Sequence, residues 1–186
     1  MHYKQFPFTK INSVFYKLLL LIFVLQFSNI QAQTQMKIPP YLQKGDTVAI
    51  LATARKNIDD NLKTAIDLLH SWGLEVLIGK TIGLDNNQLA GTDEQRAEDF
   101  QQQLDNPNIK AIWCVKGGYG TVRMIELLDF SKFKQSPKWI IGFSDVTVIQ
   151  SYLNKMNVAS IQGAMPVTIS RATPETIASL RKALFG

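Results

Sequence analysis

The sequence is poor in the side chains that most often bind metals or bridge segments: its 186 residues include one cysteine and two histidines. One cysteine cannot close an intrachain disulfide, and a zinc site of four Cys, or of two Cys and two His, cannot be assembled. The histidines are His2 and His70, so a reaction that needs a histidine base must use one of these or a residue outside this chain. Cys114 lies in an apolar run, 111–115, which is typical of a small buried core residue.

Basic stripes with interleaved aromatic residues, the pattern of a nucleic-acid binder, are also missing. The formal net charge is +5, from 20 Lys and Arg against 15 Asp and Glu. Residues 1–32 carry +3 of this charge, from Lys4, Lys10 and Lys17 with no acidic residue, and residues 33–186 carry +2. We therefore expect no nucleic-acid partner.

The N-terminal segment has the form of a secretory signal peptide. A basic region ends at Lys17, a mainly apolar run covers 18–27, and Ala32 suits the position before a cleavage site. A run of this length is too short to cross a bilayer, because a membrane-spanning helix needs about 20 residues. We expect residues 1–32 to be removed on export and the mature protein to lie in the periplasm with no membrane span. The alternatives are a retained membrane anchor and a mis-assigned start codon.

Short apolar runs alternate with amphipathic stretches in residues 33–186. Strands are predicted at 47–53, 74–78, 109–115, 138–142 and 158–162, and helices at 57–72, 92–104, 121–128, 145–156 and from 173 onward. This alternation implies right-handed βαβ units and a doubly wound parallel sheet of about five strands, flavodoxin-like or Rossmann-like. The functional surface of such a sheet lies at the carboxyl ends of its strands, which directs attention to the loops after the third and fourth strands.

The loop after the fourth predicted strand, Gly142-Phe-Ser-Asp145, runs directly into a helix. A serine in such a turn resembles a nucleophile elbow, although the usual G-x-S-x-G pattern needs glycine where Val146 stands. The alternative is that Ser144 is an ordinary N-cap, whose oxygen accepts from the N–H of Val146 or Thr147.

The loop after the third predicted strand, Lys116-Gly-Gly-Tyr-Gly120, holds three glycines, which permit positive φ and close approach of N–H groups to an anion. It could supply an N–H to an oxyanion hole facing the serine, bind a phosphate or dinucleotide, or be a tight turn without a ligand. The dinucleotide fingerprint fails, because Arg123 stands at its last glycine. His70 lies in the last turn of its predicted helix, where we expect a structural role.

Four segments, taken together and in order, resemble the LD-carboxypeptidase family, which includes murein tetrapeptide carboxypeptidases and microcin C self-immunity peptidases. They are Gly45-Asp46, 89–96, 111–123 and 140–147. The resemblance runs from about Ile38 to the end of the chain. The pairing of G-G-Y-G with G-x-S-D is specific, whereas either motif alone is weak.

The resemblance implies a serine peptidase that needs no cofactor or metal and releases D-Ala from murein tetrapeptides. It assigns Ser144 as the nucleophile and the backbone N–H groups of Asp145 and Gly118 as the oxyanion hole, with Gly117 in place of Gly118 if the match is offset by one. Gly117 and Tyr119 are the expected substrate-binding residues. The sequence leaves a homodimer open.

Members of the family complete the triad with Glu and His from a C-terminal domain that follows a helix like 174–185. We expect residues 33–186 to be the nucleophile-bearing N-terminal domain, the C-terminal domain to be absent, and the chain to be nearly inactive, because a serine needs a base. Two alternatives remain: a module that binds murein peptides without hydrolysis, and a nucleotide-binding domain that uses 116–120. The signal segment and Arg123 disfavour the second.

Overall fold

Five short strands form one sheet, and they follow the apolar, β-branched runs of the sequence. The computed structural model describes residues 16, 17, 21, 35–57 and 62–186. The strands are β1 (Thr47–Leu51), β2 (Glu75–Ile78), β3 (Ile109–Cys114), β4 (Trp139–Gly142) and β5 (Ile161–Gln162). Their order is β2-β1-β3-β4-β5, and every pairing is parallel. The predicted doubly wound sheet is confirmed, with its change of winding direction between β1 and β3.

Helices connect the strands and cover both faces of the sheet. They are α1 (Lys63–Ser71), α2 (Asp93–Asp105), α3 (Thr121–Met124), α4 (Ser131–Gln135), α5 (Thr147–Lys155) and α6 (Pro174–Phe185). Three 3₁₀ segments accompany them, at Ile125–Leu127, Ser144–Val146 and Pro166–Arg171.

The core has two layers because successive strand residues point to opposite faces of the sheet. Val48 and Ile50 pack on the face covered by α1 and α6, whereas Ala49 and Leu51 pack on the face covered by α2 and α5. Cys114 belongs to the second layer and is fully buried, as predicted for a core residue. Burial raises the pKa of its thiol to about 12.

Local signals predicted the start of α2 and the end of α1 correctly. Thr92 accepts a hydrogen bond from the backbone N–H of Gln95, and the Gln95 side chain accepts from the N–H of Thr92, which completes a capping box. Gly73 adopts φ +80° just after α1, and its N–H donates to the carbonyl of His70. Glycine tolerates this left-handed conformation, so the helix ends there.

Several predicted bounds were wrong in detail. The fifth strand is shorter than predicted, since Val158 makes only an isolated bridge with Lys37. The helices predicted at 121–128 and 145–156 each contain a 3₁₀ segment. The short elements α4 and Pro166–Arg171 were missed, because segments of five or six residues are too short to show a helical period.

Residues 36–186 form one compact unit. The predicted signal peptide, 1–32, lies almost entirely outside the described residues, so export stays a prediction. Within the part of the chain that the structure describes, no helix is long and apolar enough to cross a membrane.

Candidate active site

Ser144 lies in a strained turn at the carboxyl end of β4. Its φ is +61°, a left-handed conformation that costs a residue with a side chain about 1–2 kcal/mol. A Cβ atom on Gly142 would lie 2.9 Å from Val146 Cγ1, so the turn requires glycine at 142. Val146 occupies the place of the second glycine in the usual elbow pattern and packs against Gly142. The chain therefore forms a sharp strand-to-helix turn around an exposed serine.

Ser144 does not act as an ordinary N-cap, and that alternative was wrong. The 3₁₀ segment that begins at Ser144 has no side-chain cap hydrogen bond, and α5 has none at its start. The N–H of Thr147 donates instead to the backbone carbonyls of Ser144 and Asp145. Among the described residues, the Ser144 hydroxyl has no hydrogen-bond partner, so it is free to meet a ligand.

The glycine loop, 116–120, lies directly beside this turn. A Cβ atom on Gly117 would lie 3.0 Å from Ser144 Cβ, 3.2 Å from Ser144 Oγ and 3.3 Å from the backbone nitrogen of Asp145. Gly118 and Gly120 adopt φ +125° and +144°, conformations that favour glycine. Tyr119 is exposed on the same loop, and Phe143 is exposed next to the serine. The structure thus brings all five predicted site residues to neighbouring loops.

Asp145 joins the two loops through its side chain as well as its position. Its Oδ2 accepts a hydrogen bond of 2.9 Å from the backbone N–H of Thr121, at the start of α3. The Thr121 hydroxyl donates in turn to the hydroxyl of Thr53, 3.0 Å away, in the loop after β1. Both threonines are buried. The sequence predicts a role only for the backbone N–H of Asp145, and the role of its carboxylate was missed.

Comparison with known proteins identifies the family of this chain. The sequence profile of the LD-carboxypeptidase N-terminal domain matches residues 48–163. This chain belongs to the LD-carboxypeptidase family. It is 35% identical over 150 residues to a putative carboxypeptidase, slr1534, of Synechocystis, which covers 80% of this chain and 49% of that protein. It is 33% identical over 141 residues to the murein tetrapeptide carboxypeptidase of Pseudomonas aeruginosa, which covers 72% of this chain and 46% of that protein.

Solved structures show the same fold. The muramoyltetrapeptide carboxypeptidase of Oxalobacter formigenes matches with a TM-score of 0.66 and 30% identity, over 75% of this chain and 48% of that one. The wild-type microcin C7 self-immunity protein MccF matches with a TM-score of 0.74 and 23% identity, over 81% of this chain and 47% of that one. This chain therefore spans about half the length of these members of the LD-carboxypeptidase family.

A buried arginine that the sequence analysis overlooked organises the same edge of this LD-carboxypeptidase fold. Arg96 is fully buried and donates to the carbonyls of Thr53, at 3.1 Å, and Gly91, at 2.6 Å. It also pairs with Asp93, which accepts from Arg123 Nε at 2.8 Å. Arg123 is thus held in an ion pair, at the position where a dinucleotide fingerprint needs glycine. The capping box just before Arg96 was visible in the sequence, but the burial of Arg96 was not.

His70 lies far from the serine along the strand direction. It is exposed in the last turn of α1, which leads into the start of β2, and β2 starts beside the start of β1. Ser144 follows the end of β4, so the two residues lie at opposite edges of the parallel sheet. Within 35–57 and 62–186, no histidine or carboxylate makes a hydrogen bond to Ser144 Oγ.

The described residues show no metal-binding cluster of three or more His, Cys, Asp or Glu. A cavity of about 330 Å³ lies at the amino edge of the sheet, lined by residues that include Asp46, Ile109 and Lys138. Ser144 does not line it. Ser144, Gly118 and Tyr119 are instead exposed at the carboxyl edge.

Proposed function

We propose that this protein is a serine-type LD-carboxypeptidase that removes the terminal D-Ala from murein tetrapeptides. The observation that carries the proposal is Ser144 at φ +61°, exposed after β4 and beside Gly117 of the glycine loop. This is the geometry of a nucleophile elbow. The relatives from Pseudomonas aeruginosa and Oxalobacter formigenes are a murein tetrapeptide carboxypeptidase and a muramoyltetrapeptide carboxypeptidase, which supports the murein tetrapeptide as the substrate.

In this proposal Ser144 Oγ attacks the carbonyl carbon of the last peptide bond, and the developing oxyanion accepts hydrogen bonds from backbone N–H groups. Those groups are the N–H of Asp145 and an N–H of the glycine loop, at Gly118 or Gly117. As the C–N bond breaks, the amine of D-Ala takes up the proton that a base has removed from Ser144. Water then hydrolyses the acyl-enzyme, which releases the shortened peptide and restores the serine. In the same proposal, Tyr119 and Gly117, both in the loop beside Ser144, contact the peptide.

The attack requires a base that takes the proton of Ser144. The described residues place none against the hydroxyl, and the Glu and His that the family uses have no assigned counterparts among the motifs of this sequence. We therefore propose that residues 1–186 alone hydrolyse the peptide slowly or not at all. The lack of a base against Ser144 among the described residues also favours a second candidate function, a module that binds murein peptides without cutting them.

We also propose that the protein is exported to the periplasm, where murein peptides occur. The support is the basic and apolar pattern of residues 1–32, with Ala32 before the expected cut. N-terminal sequencing of protein recovered from the periplasm should find Gln33 first. Recovery from the cytoplasm with Met1 intact would contradict export.

The experiment that tests the function measures D-Ala release and peptide binding together. The substrate is L-Ala-γ-D-Glu-diaminopimelate-D-Ala, and the matched variant is Ser144→Ala. Hydrolysis that Ser144→Ala abolishes supports the peptidase, and binding without hydrolysis supports the second candidate. Hydrolysis that survives Ser144→Ala contradicts the assigned nucleophile, and absence of both activities contradicts both functions.

A further inference from the structure

The side chain of Arg55 crosses the glycine loop beside Ser144. A Cβ atom on Gly118 would lie 2.4 Å from Arg55 Cγ, 2.7 Å from Cδ and 2.9 Å from Nε. The arginine stem therefore occupies the space that a side chain at 118 would need. We propose that Arg55 binds the terminal carboxylate of the peptide, and this inference rests on the proposed carboxypeptidase function.

The backbone around Arg55 is held in place by the segment before α2. Arg55 forms an antiparallel bridge with Leu89. On either side of it, Ala54 accepts from the N–H of Ala90 at 3.0 Å, and the N–H of Lys56 donates to Gln88 at 3.1 Å. These bonds fix where the side chain starts, and Gly118 lets it lie across the loop. The guanidinium is thus positioned by the fold while the residue remains exposed.

The charge of Arg55 is uncompensated among the described residues. Two neighbouring cations at this edge have carboxylate partners: Lys56 pairs with Asp85 at 2.7 Å, and Arg123 pairs with Asp93 at 2.7 Å. A third, Lys116, donates to the backbone carbonyl of Lys56 at 3.0 Å. No ion pair or hydrogen bond of the described residues engages the guanidinium of Arg55. The carboxylate of the adjacent turn, Asp145, is already hydrogen-bonded to the N–H of Thr121.

Every carboxypeptidase substrate has a free carboxylate on the residue that follows the scissile bond. An arginine beside the nucleophile is placed to bind that carboxylate. The terminal residue lies about 3.8 Å, one Cα–Cα spacing, from the residue that carries the attacked carbonyl. Arg55 passes over Gly118, whose loop lies beside Ser144, so the leaving residue can reach it. A guanidinium binds a carboxylate with two parallel hydrogen bonds, which gives both affinity and direction.

The test compares two peptides that differ only at this group. One is L-Ala-γ-D-Glu-diaminopimelate-D-Ala with its terminal carboxylate, and the other ends in a carboxamide. Each is titrated calorimetrically into the 186-residue protein that carries Ser144→Ala, so that no turnover occurs. We expect the carboxylate peptide to bind about ten- to a hundredfold more tightly, the usual range for a charged hydrogen bond.

In the Ser144→Ala background, Arg55→Gln should lower the affinity for the carboxylate peptide by that factor and leave the affinity for the carboxamide peptide unchanged. Arg55→Lys should keep part of the preference, because a lysine supplies charge without the paired hydrogen bonds. Lys56→Gln is the matched control, since it removes the same charge from the next residue, and it should preserve the preference. Unchanged Tm values in all variants would show that they fold.

The proposal is overturned if Arg55→Gln keeps the full preference for the carboxylate while the peptides still bind, an outcome that leaves the proposed function standing. If Arg55→Gln lowers the affinity for both peptides equally, the arginine binds another carboxylate of the peptide, and the proposal is likewise overturned. If neither peptide binds to the protein with Arg55 intact, the proposed function and this inference fail together.

Discussion

The carboxylate of Asp145 accepts a hydrogen bond from the backbone N–H of Thr121, at 2.9 Å. This contact joins the turn that carries Ser144 to the end of the glycine loop. Because the two loops follow different strands, their relative position depends on such links as well as on the sheet. The proposed oxyanion hole needs backbone N–H groups from both loops. The Asp145 carboxylate therefore helps to position these N–H groups relative to each other.

Removal of the Asp145 carboxylate should therefore destabilise the protein. Asp145→Ala leaves the partly buried N–H of Thr121 without its acceptor, and we expect a loss of about 1–3 kcal/mol in the free energy of unfolding. Asp145→Asn keeps an acceptor oxygen and should lose less. Urea denaturation of the two variants measures the difference, and equal losses would show that the hydrogen bond does not matter.

Relief of the strained turn should stabilise the fold. Ser144→Gly removes a side chain at φ +61°, a conformation that costs about 1–2 kcal/mol, and adds backbone entropy to the unfolded state worth about 0.5–1 kcal/mol. We expect a net gain of about 0.5–1 kcal/mol in the free energy of unfolding. The control is Ser151→Gly in α5, which should lose stability. A loss in Ser144→Gly would argue against strain at this position.

A methyl group on the glycine loop should impair the site more than the fold. Gly117→Ala would place Cβ 3.0 Å from Ser144 Cβ and 3.2 Å from Oγ, so the serine turn must shift. We expect weaker binding of the murein tetrapeptide, measured by calorimetry, with a small change in Tm. Gly163→Ala, whose Cβ would lie no closer than 3.3 Å to a neighbouring atom, serves as the control. Equal peptide affinity in both variants would contradict a site beside Gly117.

Arg96 should be among the costliest residues to replace at the carboxyl edge of the sheet. Arg96→Met removes a buried cation that serves two backbone carbonyls and Asp93, and breaking a buried pair costs about 3–5 kcal/mol. Arg123→Met breaks the exposed pair with the same aspartate and should cost no more than about 1 kcal/mol. Denaturant unfolding compares the two. Similar losses would contradict the structural importance of Arg96.

Cys114 should report on unfolding rather than on the active site. Burial raises its thiol pKa to about 12, so at pH 8 the group stays protonated in the folded state and lacks the reactive thiolate. Ellman's reagent should therefore react with it only after denaturation, when the pKa returns towards its ordinary value. A native-state rate equal to the denatured rate would show that the thiol is accessible.

The sequence by itself determined the strands, most of the helices and the order of the site motifs. Apolar runs such as 109–114 and local signals such as the Thr92 capping box depend on neighbouring residues, so pattern alone locates them. The sequence also placed Ser144 and the glycine loop at the carboxyl ends of neighbouring strands, because parallel strands bring their carboxyl ends to one edge of the sheet.

Only the tertiary structure decided between the N-cap and the strained turn at Ser144, since φ there depends on how β4 meets α5. The contacts of Arg55, Arg96 and Asp145 were likewise invisible in the sequence. Each of the three has a partner far away in the chain: Arg55 meets Gly118, Arg96 meets Thr53 and Asp145 meets Thr121, at separations of 24 to 63 positions. Such contacts arise when the sheet brings three loops together, and no local pattern encodes that meeting.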